Sequence, residues 1–286
     1  IHLYADDTQL YIQLATQDIY LAKTKLANCF VEIQKWCSAM RLKLNTSKTE
    51  LIWFDRRPQP ISMSSGSINI GDCTISSSNV VRDLGVYLDS GLSMTHHISA
   101  ITRACYFHLR RIRQVKRCLN EQCIRTLVQA FVISRVDYCN SVLTGLPSSS
   151  LNPLTSVLHA AARLVKDLGP RDHITPTLRQ LHWLPIPARI NFKICLLMFN
   201  VFTGSSPSYL SSLVSPCSSL PARRRLRSTS RDDFVSVRSR LQFGNRAFAI
   251  SGPTYWNSLP VHIRQSKDAT QFKTKLKTYL FSKFFD

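Results

Sequence analysis

The stretch His2-Leu3-Tyr4-Ala5-Asp6-Asp7-Thr8-Gln9-Leu10-Tyr11-Ile12 decides how the rest of the chain is read. Apolar residues flank two adjacent acids on both sides, the pattern of two short strands joined by a polar turn. Two neighbouring carboxylates repel each other and destabilise a turn unless a cation lies nearby. Two explanations are open on these residues alone. Asp favours turns for its own hydrogen-bonding reasons, and a hard divalent cation such as Mg²⁺ prefers carboxylate oxygens.

Working outward, the period changes. From about Asp18 to Met40, the residues Leu26, Phe30, Ile33, Cys37 and Met40 recur every three or four positions and predict one helix with one buried face. Glu50 to Phe54 is a short β-prone run. Ile68 and Ile70, the pair Gly71-Asp72 and then Ile75 predict a hairpin with a two-residue turn. Leu84, Val86 and Leu88 alternate strictly and predict another strand. Residues 1–95 therefore read as an antiparallel sheet with one long helix packed on it.

After residue 95 the chain turns helical. Ile98, Ile101, Cys105, Leu109, Ile112, Val115 and Leu119 form one stripe, and Asn120 reads as the N-cap of a helix carrying Ile124, Leu127, Val128 and Phe131. Further helices are expected at 153–168 and 188–201, and a last one from Asp268 with Phe272, Leu276, Leu280 and Phe284 on one face. Between about 204 and 233 the composition shifts to Ser, Pro and Arg, including Arg223-Arg224-Arg225 and Arg227, as in a linker or arm. That run fits RNA binding by charge and fits a localisation signal equally well.

Of 286 residues, 37 are Lys or Arg and 17 are Asp or Glu, a net charge of +20. The first 95 residues hold 9 basic and 9 acidic side chains, so the whole excess lies in 96–286, with 28 against 8. A neutral first third joined to an Arg-rich remainder points to a polyanionic partner, most naturally nucleic acid. On the helix predicted from His96, Arg103, Arg110 and Arg117 are spaced by sevens and share a face, with Arg113 at its edge. Such a face can follow a phosphate backbone, or it can simply be solvated. The nine cysteines form no C-x-x-C pair, which reads as reduced, intracellular thiols. Cys105 and His108 have no second pair to complete a tetrahedral site, so zinc is not expected. No Walker A, G-x-S-x-G or H-E-x-x-H string supports a P-loop or hydrolase reading. The longest apolar stretch, Ile194 to Phe202, is far short of a bilayer span of ~20 residues.

Tyr4-Ala5-Asp6-Asp7 is followed by Trp36, Leu42-Lys43-Leu44-Asn45, Lys48-Thr49-Glu50, and then Asp83-Leu84-Gly85-Val86 with Asp89, Leu92 and His97. Further on come Arg135, Asp137-Tyr138-Cys139-Asn140, Gly145-Leu146-Pro147, His182-Trp183-Leu184-Pro185 with Arg189, and Trp256-Asn257, Leu259-Pro260 and Ile263-Arg264. This ordered series resembles the reverse transcriptases of LINE-type, non-LTR retrotransposons over essentially the whole chain.

The resemblance implies an α+β fold: a partial polymerase palm over 1–95, a mainly helical thumb over 96–203, a Ser/Arg-rich linker over 204–233 and a basic C-terminal region over 234–286. It implies RNA-directed DNA polymerase activity, with an RNA template, a DNA primer and deoxynucleoside triphosphates as partners, no membrane, and Mg²⁺ or Mn²⁺ as cofactor. Asp6 would be a direct metal ligand and Asp7 its companion, both catalytic. Tyr4 would pack beneath the primer end. Lys48 would protonate the leaving pyrophosphate, the plainer alternative being a solvated charge. Leu84 and Gly85 would form a turn touching the primer backbone, and Arg103, Arg110, Arg113 and Arg117 would contact nucleic acid from the thumb. The family's remaining metal-binding Asp, its steric gate and its template-gripping loop are expected upstream of Ile1, which opens in mid-pattern. The competing reading is a basic nucleic-acid-binding remnant of a decayed element, without catalysis. Either would work inside the cell, in cytoplasm and nucleus.

Overall fold

A computed structural model of the chain describes residues 1–13, 18–54, 66–70, 73–219, 232–239 and 242–285. The turn pair Gly71-Asp72, Asp55, and the arginines of 223–231 lie outside the described residues. Helices and small antiparallel ladders make up the fold, which is α+β. The chain divides into two compact units, Ile1–His96 and His97–Asp286.

In the first unit, β1 (His2–Tyr4) pairs with β2 (Asp7–Gln9). Helix α1 (Ile19–Ala39) is followed by β3 (Ser67–Ile70) with β4 (Cys73–Ser76), and by β5 (Val80–Asp83) with β6 (Val86–Asp89). The expected single sheet is instead three separate two-stranded ladders. Each strand has three or four residues and pairs with its neighbour in the chain, so local closure wins over longer-range pairing. Among the described residues, an isolated parallel bridge, Leu51 to Ser77, lies beside the β3–β4 ladder. Phe30 of α1 packs with Ile68 and Ile70, and Leu26, Leu44, Leu51 and Ile75 complete this small core. Met40, expected on the buried face, is 57% exposed, because α1 ends one residue before it.

Leu84 departs from its alternation pattern. It lies in the turn between β5 and β6, where Asp83 pairs with Val86 and the central residues Leu84 and Gly85 have φ of 43° and 84°. A two-residue hairpin with both central φ values positive matches strand twist, and Gly85 takes that geometry freely. A leucine there is strained. Downstream, the buried Asp89 carboxylate accepts from the backbone N–H of Ser93 (2.7 Å) and Met94 (2.8 Å), closing the approach to the next helix.

That helix, α2 (Thr95–Val115), buries Ile98, Cys105, Leu109 and Ile112, and a 3₁₀ turn at Lys116–Cys118 ends it. Asn120 caps α3 (Glu121–Val128) by accepting from the Cys123 N–H at 2.8 Å, as its position predicts. The run then widens into a π-turn at Gln129–Ile133 before α4 (Ser134–Asp137). A π-turn frees carbonyls from the α pattern, and side chains take them up. Ser134 Oγ donates to Ala130, Arg135 Nε to Phe131 (3.1 Å), and Cys105 Sγ lies 3.8 Å from the Val132 oxygen. Helix α5 (Ser148–Lys166) starts five residues ahead of the expected Pro153, because burying Leu151 outweighs the weak helix preference of three serines.

The core of the second unit is built on α7 (Ile186–Phe202), which follows α6 (Thr175–Leu181). After α8 (Ser208–Ser211) and α9 (Gln242–Asn245), helices α10 (Phe248–Asn257), α11 (Val261–Arg264) and α12 (Ala269–Phe285) fold back on it. Trp256 is fully buried, with its ring 5.9 Å from Phe272 and 5.4 Å from Phe202, while Phe199 stacks on Phe272 at 4.3 Å. The segment 175–202 is apolar enough to be weighed as a membrane span, but Ala188, Cys195, Met198 and Phe199 pack into this core. All nine cysteines are free thiols, and burial pushes Cys105 up to about 11 and Cys195 up to about 12.

Several residues of the ordered series act here as clasps. The Arg189 guanidinium holds both Asp137 oxygens (3.0 and 2.8 Å) and donates through Nε to the Leu184 carbonyl at 2.7 Å. Asn257 binds both backbone groups of Phe234, at 2.9 and 2.7 Å, and Trp256 Nε1 donates to the Asp232 carbonyl at 2.8 Å. Arg264, 3% exposed in its side chain, pairs with Asp233. At Gly145, φ is 67° and a Cβ would stand 2.7 Å from Arg246 Cγ, so only glycine fits both the turn and the neighbour.

Burial lowers His97 and His159 below the ordinary value near 6.5, and Arg163 adds to the effect on His159. Both bind protons more readily in the unfolded chain. Their contribution to stability is therefore complete above pH ~6.5 and declines as pH falls below it. Thermal melts should show Tm dropping from pH ~7.5 to ~5, with a smaller drop in His97→Gln. Equal slopes for the variant and the parent would contradict the assignment for His97.

Candidate functional site

The β1–β2 register pairs Tyr4 with Asp7 and leaves Ala5 and Asp6 as the two turn residues. Ala5 has φ of 53°, a left-handed conformation that costs an L-residue about 1 kcal/mol or more. This strained residue lifts Asp6 at the tip, while Asp7 begins the returning strand. Such strain persists where surrounding structure imposes it, and it is common at functional sites. Tyr4 is 67% exposed, so its ring presents an open aromatic face rather than filling a core.

Asp6, Asp7 and Lys48 line one cavity of about 390 Å³. Its polar wall also includes Thr8, Asn45 and Glu50, and its floor is the small core of Phe30, Ile68, Ile70 and Ile75. Lys48 is placed there by the 3₁₀ turn Thr46–Lys48. Among the described residues, no ion pair joins Lys48 to either aspartate, and neither carboxylate has a hydrogen-bond partner. Glu50 shares the cavity; in the sequence it closes the block Lys48-Thr49-Glu50 and opens a β-prone run, with no role assigned to it.

Asp6 and Asp7 are hard oxygen donors on one turn, suited to a cation of the Mg²⁺ type. Among the described residues, however, no three His, Cys, Asp or Glu side chains converge to hold a metal ion. Phosphoryl transfer by two ions needs carboxylates that bridge them at ~3.5–4 Å. The described residues therefore offer two of the carboxylates such a centre uses, both on the β1–β2 turn.

The Leu84-Gly85 turn belongs to the same unit. Gln9 Nε2 of β2 donates to Asp83 Oδ1 of β5 at 2.7 Å, tying the acidic hairpin to the strained one. Asp83 belongs to the ordered series, but its pairing with Gln9, 74 residues away, leaves no local pattern in the sequence.

In the second unit, Arg103, Arg110 and Arg113 are exposed on α2, and Arg117 lies just past it in the 3₁₀ turn. Arg113 and Arg117 line a groove of about 980 Å³ together with Lys116, Arg163 and Lys166. Arg103 and Arg110 lie outside that groove. Lys116 pairs with Asp167, and Lys166 with Glu121 at 2.6 Å, which neutralises two of the cations. Among the described residues, Arg113, Arg117 and Arg163 keep uncompensated guanidinium charges at the groove. Arg163, from α5, was not legible as part of this set, because only the fold brings α5 beside the end of α2.

No family model, no curated protein and no solved structure matches the chain.

If the groove follows a phosphate backbone, each lost contact lowers the slope of log Kobs against log[salt] by about 0.9 in magnitude. Changing Arg113, Arg117 and Arg163 together to Ala should therefore flatten the slope for an RNA–DNA hybrid by roughly 2 to 3. Affinity should fall alike for all sequences. An unchanged slope would mean that these guanidinium groups are merely solvated.

Proposed function

We propose that this chain belongs to a reverse transcriptase of the LINE-type, non-LTR class, acting in nucleotidyl transfer on an RNA template and DNA primer. The observation that carries the reading is the meeting of Asp6, Asp7 and Lys48 in one cavity, although 41 residues separate Lys48 from Asp7. In this reading residues 1–95 are part of a palm and 96–203 a thumb. The guanidinium groups of Arg113, Arg117 and Arg163 hold phosphates by charge and position the duplex without reading its sequence. Leu84 and Gly85, on a turn tied to the acidic hairpin, lie against the primer backbone, where the absence of a Cβ on Gly85 allows close approach. Lys48 is a proton donor for a leaving pyrophosphate. Asp6 and Asp7 concentrate negative charge where a divalent cation would bind. The cation's chemistry, when a complete centre holds it, is charge stabilisation of an in-line phosphoryl displacement.

A second reading, nucleic-acid binding without catalysis, rests on the Arg113, Arg117 and Arg163 guanidinium groups, which hold phosphates without a metal centre. The two readings separate in a primer-extension assay. Residues 1–286 should give no template-dependent extension with Mg²⁺ or Mn²⁺. Extension should appear when a strand bearing a further Asp is fused ahead of Ile1, and it should vanish again with Asp6→Ala. Extension by residues 1–286 alone, abolished by Asp6→Ala, would overturn the half-site. No extension in any complemented form would leave the binding reading standing in place of the enzyme.

A further inference from the structure

A second cavity of about 370 Å³ lies in the unit His97–Asp286, away from the arginine groove. Arg125, Lys193 and Lys277 line it with Asn140, and so do Asp137 and Arg189. The last two neutralise each other through the bidentate contact described above. Arg125 donates to the Leu181 carbonyl at 3.3 Å, a neutral acceptor that leaves its charge uncompensated. Among the described residues, Lys193 and Lys277 have no acidic partner. Three cations thus converge from α3, α7 and α12 on one opening.

Asn140 supplies an independent sign. It is 4% exposed, it lines the cavity, and its Oδ1 has no hydrogen-bond partner. A buried amide oxygen left unpaired costs about 1–3 kcal/mol, and native structures rarely leave one so. The backbone at this point is closely specified: Cys139 is left-handed at φ of 49°, and Asn140 opens a 3₁₀ turn. The side chain is therefore held in place, with an acceptor offered and not taken up by the protein.

We propose that this cavity is a binding site for a ligand of the nucleotide class. Its phosphoryl group lies against Lys193, Lys277 and Arg125, and a hydroxyl or N–H of its nucleoside part donates to Asn140 Oδ1. Cations alone would suit any anion. An orphan acceptor beside them asks for a ligand that carries both negative charge and a donor. A free nucleotide and the phosphorylated end of a nucleic-acid strand share that chemistry. The site does not depend on the polymerase reading, because none of its cations lines the arginine groove and Asp6 and Asp7 take no part in it.

The test is calorimetric titration of the full chain with adenosine 5′-monophosphate, adenosine and inorganic phosphate at moderate salt. The monophosphate should bind one to one and adenosine should not bind detectably. Lys193→Gln with Lys277→Gln should weaken the monophosphate by about tenfold or more, as loss of charge-assisted bonds requires. Asn140→Ala should weaken the monophosphate severalfold while leaving inorganic phosphate unchanged. Lys277→Gln alone, at an exposed residue, gives the reading in a variant whose fold is not at risk. The combined Arg113, Arg117 and Arg163 variant should bind the monophosphate as the parent does, which separates this site from the groove. Competition by a 5′-phosphorylated tetranucleotide, and not by its 5′-hydroxyl form, assigns the strand end as the source. Competition by neither assigns the free nucleotide. Monophosphate affinity that is immeasurable in the parent, or equal in the parent and the two lysine variants, overturns the proposal.

Discussion

The second unit depends on the burial of Trp256 against Phe199, Phe202 and Phe272. An aromatic cluster of that size removes enough apolar surface from water to anchor helices from distant parts of the chain. It brings α10 and α12 onto α7, and with them the strap 232–236 that Trp256 and Asn257 hold by its backbone. Once α7 is fixed, Arg189 on it can reach Asp137 at the end of the π-bulged run. The position of α7 and α12 in turn places Lys193 and Lys277 at one cavity.

The first unit follows a different logic. Its core is small, its strands are short, and two of its hairpin turns hold L-residues, Ala5 and Leu84, at positive φ. A region built this way stores strain at its tips, and the tips present Asp6 and Leu84. The hydrogen bond from Gln9 to Asp83 couples the two hairpins.

Much of the fold was legible because it rests on local periodicity. The stripe of α2, the Asn120 cap and the β3–β4 hairpin are written in residue spacing, and the structure follows them. Leu84 misled because alternation continues straight through a hairpin turn, and only the backbone φ marks the break. The start of α5 misled because burial of Leu151 prevails over local propensity. Within the site, Asp6, Asp7 and Lys48 were readable as residue types in order. Glu50 and Asn140 appear in the same series without a role, and Gln9 and Arg163 do not stand out, since what each of the four does is set by neighbours far away in sequence. The ordered series also concealed a division of labour. Asp137, Arg189, Asn257 and Arg264 stand out in the sequence as strongly as the acids do, yet their side chains are occupied in holding the fold.

Under the proposed function, contact with nucleic acid falls to the unpaired arginines at the end of α2 and on α5, while 256–264 serves the fold. The most direct measurement is peptide mapping of photocrosslinks from an RNA–DNA hybrid carrying 4-thiouridine at interior template positions. The account predicts crosslinks concentrated in 103–117 and 160–168, with none in 256–264. Crosslinks concentrated at Trp256, Asn257 or Arg264 would contradict it.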